Sequence, residues 1–117
     1  GLGGFIGACL RYLLCEGVQR WGSALPWGTL LANVIGGMLI GLLMELSIST
    51  DMIPPHLRLL LVTGLLGGFT TFSAFSYETV SLFSAGSYGL ATLNIGANLL
   101  LSLVGVVAGK AASGLLI

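Results

Sequence analysis

The length of its apolar runs is the feature that most constrains this chain. A helix needs about 20 apolar residues to cross the hydrocarbon core of a bilayer. The 117-residue sequence divides into four stretches of that order, at about 2–18, 27–48, 57–83 and 90–112. Only 7% of the residues are charged, against about 25% in soluble domains, so charge cannot cover a water-facing surface. The sequence therefore predicts a single all-α membrane domain with four transmembrane helices.

The third stretch, 57–83, is too long for one straight span. At about 1.5 Å per residue it would reach about 40 Å, against a bilayer core of about 30 Å. Its middle, 64–78, is GLLGGFTTFSAFSYE, which is rich in glycine and hydroxyl residues. We expect the helix to break in the membrane near 64–71, where a surrounding cavity or protein must satisfy the backbone. Unwound carbonyls suit a monovalent cation, and the N-terminus of the following half-helix suits an anion.

The second half of this motif combines rings and hydroxyl groups at helical spacing. Ring edges carry partial positive charge, and hydroxyl groups donate hydrogen bonds without a full charge. Such donors let an anion bind and then leave. The alternative is an ordinary aromatic core stripe. The residues concerned are Thr71, Phe72, Ser73, Phe75, Ser76 and Thr79, followed by Glu78.

Polar residues in the other spans also need a reason, because polar groups at membrane depth are costly. Arg11 lies about midway along the first span and Asn33 early in the second. Arg11 either caps backbone carbonyls or draws anions towards an aqueous vestibule. Asn94, Asn98 and Ser102 are spaced i, i+4, i+8 and so share one helix face. That stripe predicts either interhelical hydrogen bonds or the wall of a polar pathway.

Weak charge bias and many small residues suggest a dimer. Arg20 is predicted on one side of the membrane, and Arg58 and Lys110 on the other, which is a very small bias under the positive-inside rule. Insertion in both orientations would allow an antiparallel homodimer. Glycines at small-xxx-small spacing on all four spans exceed what packing within one subunit requires. These are Gly3 and Gly7, Gly37 and Gly41, Gly64 and Gly68, and Gly105 and Gly109.

Four segments together resemble the Fluc (CrcB) family of fluoride channels, over essentially the whole chain. GGFIGACLRY resembles the first-span pattern with its arginine, and GTLLANVIGG the second-span pattern with its asparagine. TGLLGGFTTFSAFSYE resembles the family's third-span signature and is the most specific of the four. NIGANLLLSL is similar to fourth-span sequences, with Asn94 at a position where some members carry tyrosine.

The resemblance implies an antiparallel, dual-topology homodimer in the bacterial inner membrane. Such dimers contain two fluoride pores and export fluoride passively when it accumulates as HF in acid surroundings. The resemblance also implies a structural Na⁺ at the dimer interface, held by the backbone carbonyls of Gly67 and Thr70. Its expected partners are fluoride, the lipid bilayer and a second copy of the chain.

Carried onto this sequence, the family's pore becomes a set of neutral side chains. The resemblance makes Phe72 and Phe75 the rings whose edges face fluoride, and Asn33 the source of an amide. Arg11 becomes the vestibule cation, and Glu78 a carboxylate close to the ion path. Hydroxyl groups of Ser73, Ser76 and Ser102 become a polar track; the spacing of Thr71, Thr79 and Asn98 adds these three as pore candidates.

Three other functions fit the sequence less well. A small proton-coupled multidrug transporter can also be a four-span, dual-topology dimer, but it needs a membrane carboxylate, and the first span holds Arg11 instead. A non-transporting membrane subunit would explain the glycines but not the stripe of donors. An enzyme is not expected, since the single His56 has no nucleophile or metal ligand near it in sequence. Zero net charge gives no reason to expect a nucleic-acid partner.

Overall fold

The computed structural model describes residues 1–19, 25–51 and 53–116, without the side chains of Gln19, Ser73 and Leu116. Every regular element in this described part is helical, which confirms the all-α prediction. In chain order the elements are α1 (Leu2–Gln19), α2 (Trp27–Ser49), α3 (Pro55–Arg58), the π-helical segment π1 (Leu59–Leu66), α4 (Gly67–Phe69), α5 (Ser73–Ser84) and α6 (Tyr88–Leu116).

Three stretches of the described chain are long and apolar enough to cross a membrane. They are Trp27–Ser49, Pro55–Ser84 and Tyr88–Leu115. The first helix, α1, is not among them; its 18 residues include Arg11 and Glu16, and its role as a fourth span stays a prediction. The chain is a multi-pass membrane protein by these lengths and compositions.

Two parallel helix pairs form the body of the fold, and glycines set the spacing in both. A Cβ on Gly7 would meet the Leu65 carbonyl group, which places α1 against π1 at backbone distance. Likewise, a Cβ on Gly41 would meet the carbonyl group of Val106 in α6. One turn earlier in α2, Gly37 faces Ser102 of α6. Because the later residue of α2 contacts the later residue of α6, the two helices run in the same direction.

The glycine pairs therefore serve packing within one subunit, and the expectation that they exceed its needs was wrong. Gly3 and Gly7 lie against π1 and α4, while Gly64 and Gly68 lie against α1. The glycines of α2 and α6 pack in the same way, since a Cβ added to one helix would meet the backbone of the other. These residues give no support to a dimer.

The third stretch is broken at residues 70–72, between α4 and α5. Thr70 adopts an extended conformation, with φ −84° and ψ 156°, and helix resumes at Ser73. The break was expected across 64–71, yet Gly64–Phe69 is helical throughout. The glycines do not unwind this segment because they pack on α1, and the wider π-helical winding of π1 keeps it regular.

The α5 helix leaves the break and packs antiparallel on α6. A tight turn at Gly86, with φ +82°, joins the two helices and uses a left-handed conformation that glycine adopts readily. At the far end of α2, Arg58 Nη1 lies 3.3 Å from Ser47 Oγ. Lys110 Nζ lies 3.9 Å from Glu45 Oε2. The two cations thus share one end of the fold, as expected, and Arg20 lies outside the described residues.

Candidate functional site

An open groove of about 520 Å³ lies between α2, the break and α6. Its polar members come from all three, and its remaining wall is apolar. Most of the residues predicted to carry function meet here. The groove is lined by Asn33, Gly37, Ile40, Gly67, Thr70, Thr71, Phe72, Phe75, Asn98, Leu99, Ser102, Leu103 and Val106.

Asn33 holds the broken backbone from the side of α2. Its Oδ1 accepts a hydrogen bond from the Thr71 N–H at 3.0 Å, and its Nδ2 donates to the Thr71 carbonyl at 3.2 Å. The same nitrogen also donates to Asn98 Oδ1 at 3.0 Å. A backbone N–H can only donate, so this contact fixes which way the Asn33 amide points.

A line of buried polar groups continues from Asn98 to α5. The Asn98 amide nitrogen donates to the Asn94 carbonyl at 2.9 Å and to Asn94 Oδ1 at 3.0 Å. Asn94 Nδ2 donates to Thr79 Oγ1 at 2.9 Å, and the Thr79 hydroxyl donates to the Phe75 carbonyl at 2.8 Å. Asn94 is fully buried. Leaving one such group unpaired would cost about 1–3 kcal/mol.

The amide hydrogens of Asn33 and Asn98 form hydrogen bonds within the protein, so other groups must act as hydrogen-bond donors in the groove. Both amide hydrogens of Asn33 and both of Asn98 are engaged. Within the described part of the chain, Ser102 Oγ is buried and has no hydrogen-bond partner. The rings of Phe72 and Phe75 line the same groove, with centroids 5.6 Å apart and planes inclined by 47°. An amide contact from Asn33 to an anion stays a prediction.

The carbonyls proposed to hold a cation also border the groove. Thr70 leaves the helix in an extended conformation, which turns its carbonyl away from the helical ladder. The normal helical partner of the Gly67 carbonyl would be the Thr71 N–H, which donates to Asn33 instead. The Thr70 hydroxyl returns to the Leu66 carbonyl at 3.0 Å. Neutral carbonyl oxygens of this kind are suitable ligands for Na⁺.

Arg11 lies outside the groove, on α1. Its Nε is 3.4 Å from the Gly68 carbonyl, at the C-terminal end of α4. A cation near the last carbonyls of a helix is electrostatically favourable. This contact matches the capping alternative, while the vestibule role stays a prediction.

Several other predicted residues also lie away from the groove lining. Thr79 is buried against α6, and Ser76 is half-buried on α5. Glu78 is half-buried, and its Oε1 is enclosed with no hydrogen-bond partner among the described residues. The Ser73 side chain lies outside the described part. Their proposed roles at the ion path stay predictions.

Sequence reasoning missed two features of this region. Thr29 is buried, with its hydroxyl close to the Glu78 carboxyl group. Asn94 was recognised on the polar stripe, but its link to Thr79 was not. The i, i+4 spacing signalled that Asn94 and Asn98 share a face; which residue of another helix they meet depends on how α5 leaves the break.

Comparison with known proteins identifies the family to which this chain belongs. The family model described as "CrcB-like protein, Camphor Resistance (CrcB)" matches residues 1–110. Proteins named "Fluoride-specific ion channel FluC" are similar to this chain. The one from Geobacter sulfurreducens is 52% identical over 91% of the chain and 86% of its own length. The one from Clostridium novyi is 46% identical over 95% of the chain and 88% of its own length. The chain belongs to the CrcB-like family.

Proposed function

We propose that this protein is a fluoride-selective channel that releases fluoride passively from the cytoplasm. The observation that carries the proposal is the groove beside the helix break. Among the described residues, the groups in this groove that can still donate to an anion are the Ser102 hydroxyl and the edges of two rings, and none of them carries a full charge. The relatives named as fluoride-specific channels support the choice of ion. A channel family is not an enzyme class, and we take the groove to be an ion path.

The chemistry of the groove suits a small, strongly hydrated anion. Fluoride must exchange water hydrogen bonds for donors in the wall and must still leave. The Ser102 hydroxyl and the edges of Phe72 and Phe75 supply positive partial charge without an ammonium or guanidinium group. Arg11 contacts a backbone carbonyl elsewhere, so its full charge does not trap the ion in the groove.

A second copy of the chain would complete each path. The groove is open along one side, and the side chain of Phe72 is 79% exposed in the single subunit. An antiparallel homodimer would bring a partner wall to both copies and give two pores. C-terminal tags that react from only one face of inner-membrane vesicles would contradict this dual orientation.

A structural Na⁺ at the dimer axis fits the carbonyls of Gly67 and Thr70. Each carbonyl lies at the break, outside the regular helical ladder. One subunit supplies too few oxygens to surround an ion, and a two-fold axis doubles the set. When bound, Na⁺ would supply positive charge that holds the two breaks together.

The multidrug-transporter alternative gains no support from the groove. Its mechanism needs a carboxylate in the substrate path, whereas Glu78 is not part of the groove lining. The remaining carboxylates of the described chain do not line it either.

Fluoride tolerance tests the proposal in cells. We expect the gene to restore growth in millimolar fluoride to a bacterium that lacks its own fluoride exporter, with the protein in the inner membrane. A Phe75→Ile variant made in equal amount should restore much less. Equal growth with an empty vector would contradict the proposed function.

A further inference from the structure

Hydrogen bonds that link the break, α2, α6 and α5 form one directed chain. Each member donates onward to the next: the Thr71 N–H to Asn33, Asn33 to Asn98, Asn98 to Asn94, and Asn94 to Thr79. The Thr79 hydroxyl then donates to the Phe75 carbonyl, which ends the chain.

The direction of the chain is fixed at its two ends. The Thr71 N–H can only donate and the Phe75 carbonyl can only accept. Between these two backbone groups every amide has one orientation that satisfies its neighbours. If Asn94 turned over, its amide nitrogen would face that of Asn98, and the Thr79 hydroxyl would have to donate to Asn94 and leave the Phe75 carbonyl.

The chain encloses the short segment that carries both rings of the groove. It begins at Thr71, immediately before Phe72, and it ends on the carbonyl of Phe75. Asn94 and Thr79 are buried, and neither borders the groove. They therefore act on the groove only through the groups that they hold.

We propose that Asn94 and Thr79 are positioning residues for the Phe72–Phe75 segment. They fix the Asn98 amide so that its oxygen faces Asn33, and they fix the Phe75 backbone from α6. Asn33 then holds Thr71 at the other end. This inference rests on the proposed function, because the rings matter only if an anion passes them.

Thr79→Val tests the proposal, since valine keeps the shape and removes the hydroxyl. Asn94 then loses its acceptor, and the Phe75 carbonyl loses the hydroxyl donor and keeps only its helical N–H partner. We expect fluoride flux per folded protein in liposomes to fall about tenfold, which corresponds to about 1.4 kcal/mol on the barrier to conduction. Thr79→Ser should restore flux to near that of the unaltered protein.

Thr92→Val is the matched control. The Thr92 hydroxyl also donates to a carbonyl one turn earlier, that of Tyr88 at 2.9 Å, but it is exposed. We expect this variant to conduct normally. An equal loss in Thr92→Val, normal flux in Thr79→Val, or failure of Thr79→Ser to recover flux would each overturn the proposal.

A double variant covers the case in which Thr79→Val does not fold. Asn94→Leu combined with Thr79→Val removes both partners of the hydrogen bond between α5 and α6, and so both positioning groups, while the Asn98 amide keeps its bond to the backbone carbonyl of residue 94. We expect the same fall in flux, and normal flux would overturn the proposal. If the unaltered protein passes no fluoride, the proposed function itself has failed; if it does, a failure in the variants concerns the positioning role alone.

Discussion

The two sides of the break are held by different forces. The glycine-packed half, π1 and α4 (59–69), lies on α1 with backbone against backbone. The hydrogen-bonded half, α5 (73–84), is joined to the rest of the fold by the buried amides and hydroxyls described above. Close packing tolerates no added volume, whereas hydrogen bonds tolerate a change of shape but not of donor and acceptor pattern. Mutations before the break should therefore damage folding, and mutations after it should damage conduction.

Gly7→Ala should have the largest effect on the glycine-packed half. Its methyl group would run into the Leu65 carbonyl group and force α1 away from π1. We expect a loss of at least about 1–3 kcal/mol of stability, seen as a lower unfolding temperature and poor recovery of monodisperse protein in detergent. Gly17→Ala is the control on the same helix, because no other element of the described residues lies within 4 Å of its added Cβ. Equal stability of the two variants would contradict the packing account.

Asn33→Asp should have the largest effect on conduction. Aspartate can still accept from the Thr71 N–H, but it cannot donate to the Thr71 carbonyl or to Asn98. The facing oxygens would displace the broken backbone, and the carboxylate would put a negative charge in the groove that repels an anion, so we expect fluoride flux to fall by more than about tenfold, which is about 1.4 kcal/mol on the barrier. The elution profile in detergent should stay that of the unaltered protein. Normal flux would show that the amide is not needed to hold the break.

Phe72→Ile and Phe75→Ile should reduce flux with little change in folding. Isoleucine keeps the apolar volume in part but removes the polarised ring edge, a contact worth about 0.5–1.5 kcal/mol between rings. We expect a fall in fluoride flux of about tenfold in each variant. Phe83→Ile is the control, since Phe83 pairs with Tyr88 at the far end of α5. If both ring variants conduct like Phe83→Ile, the rings are merely core.

Replacing Na⁺ on both sides of the membrane should have the smallest effect. An ion held by carbonyls at the break would leave slowly. We therefore expect that replacing Na⁺ with N-methylglucamine lowers the fluoride flux, or the fraction of protein that is dimeric, only in part. Adding Na⁺ back should restore both. No change after long exchange would remove the support for a cation at Gly67 and Thr70.

Much of this architecture follows from sequence length and spacing. The excess length of 57–83 required a break, and the i, i+4 spacing placed Asn94 and Asn98 together. The position of the break did not follow, because Gly64 and Gly68 suit both unwinding and close packing, and only their contacts with α1 decide between the two. The link from Asn94 to Thr79 was equally hidden, since it depends on the angle at which α5 leaves the break.

Ion flux from liposomes tests the central claim most directly. Vesicles that contain the purified protein are loaded with potassium fluoride or potassium chloride, and valinomycin is added to carry the counter-ion. Ion-selective electrodes then follow release of each anion. We predict rapid release of fluoride and chloride release no faster than from protein-free vesicles. Comparable rates for the two anions would contradict a fluoride-selective path through this groove.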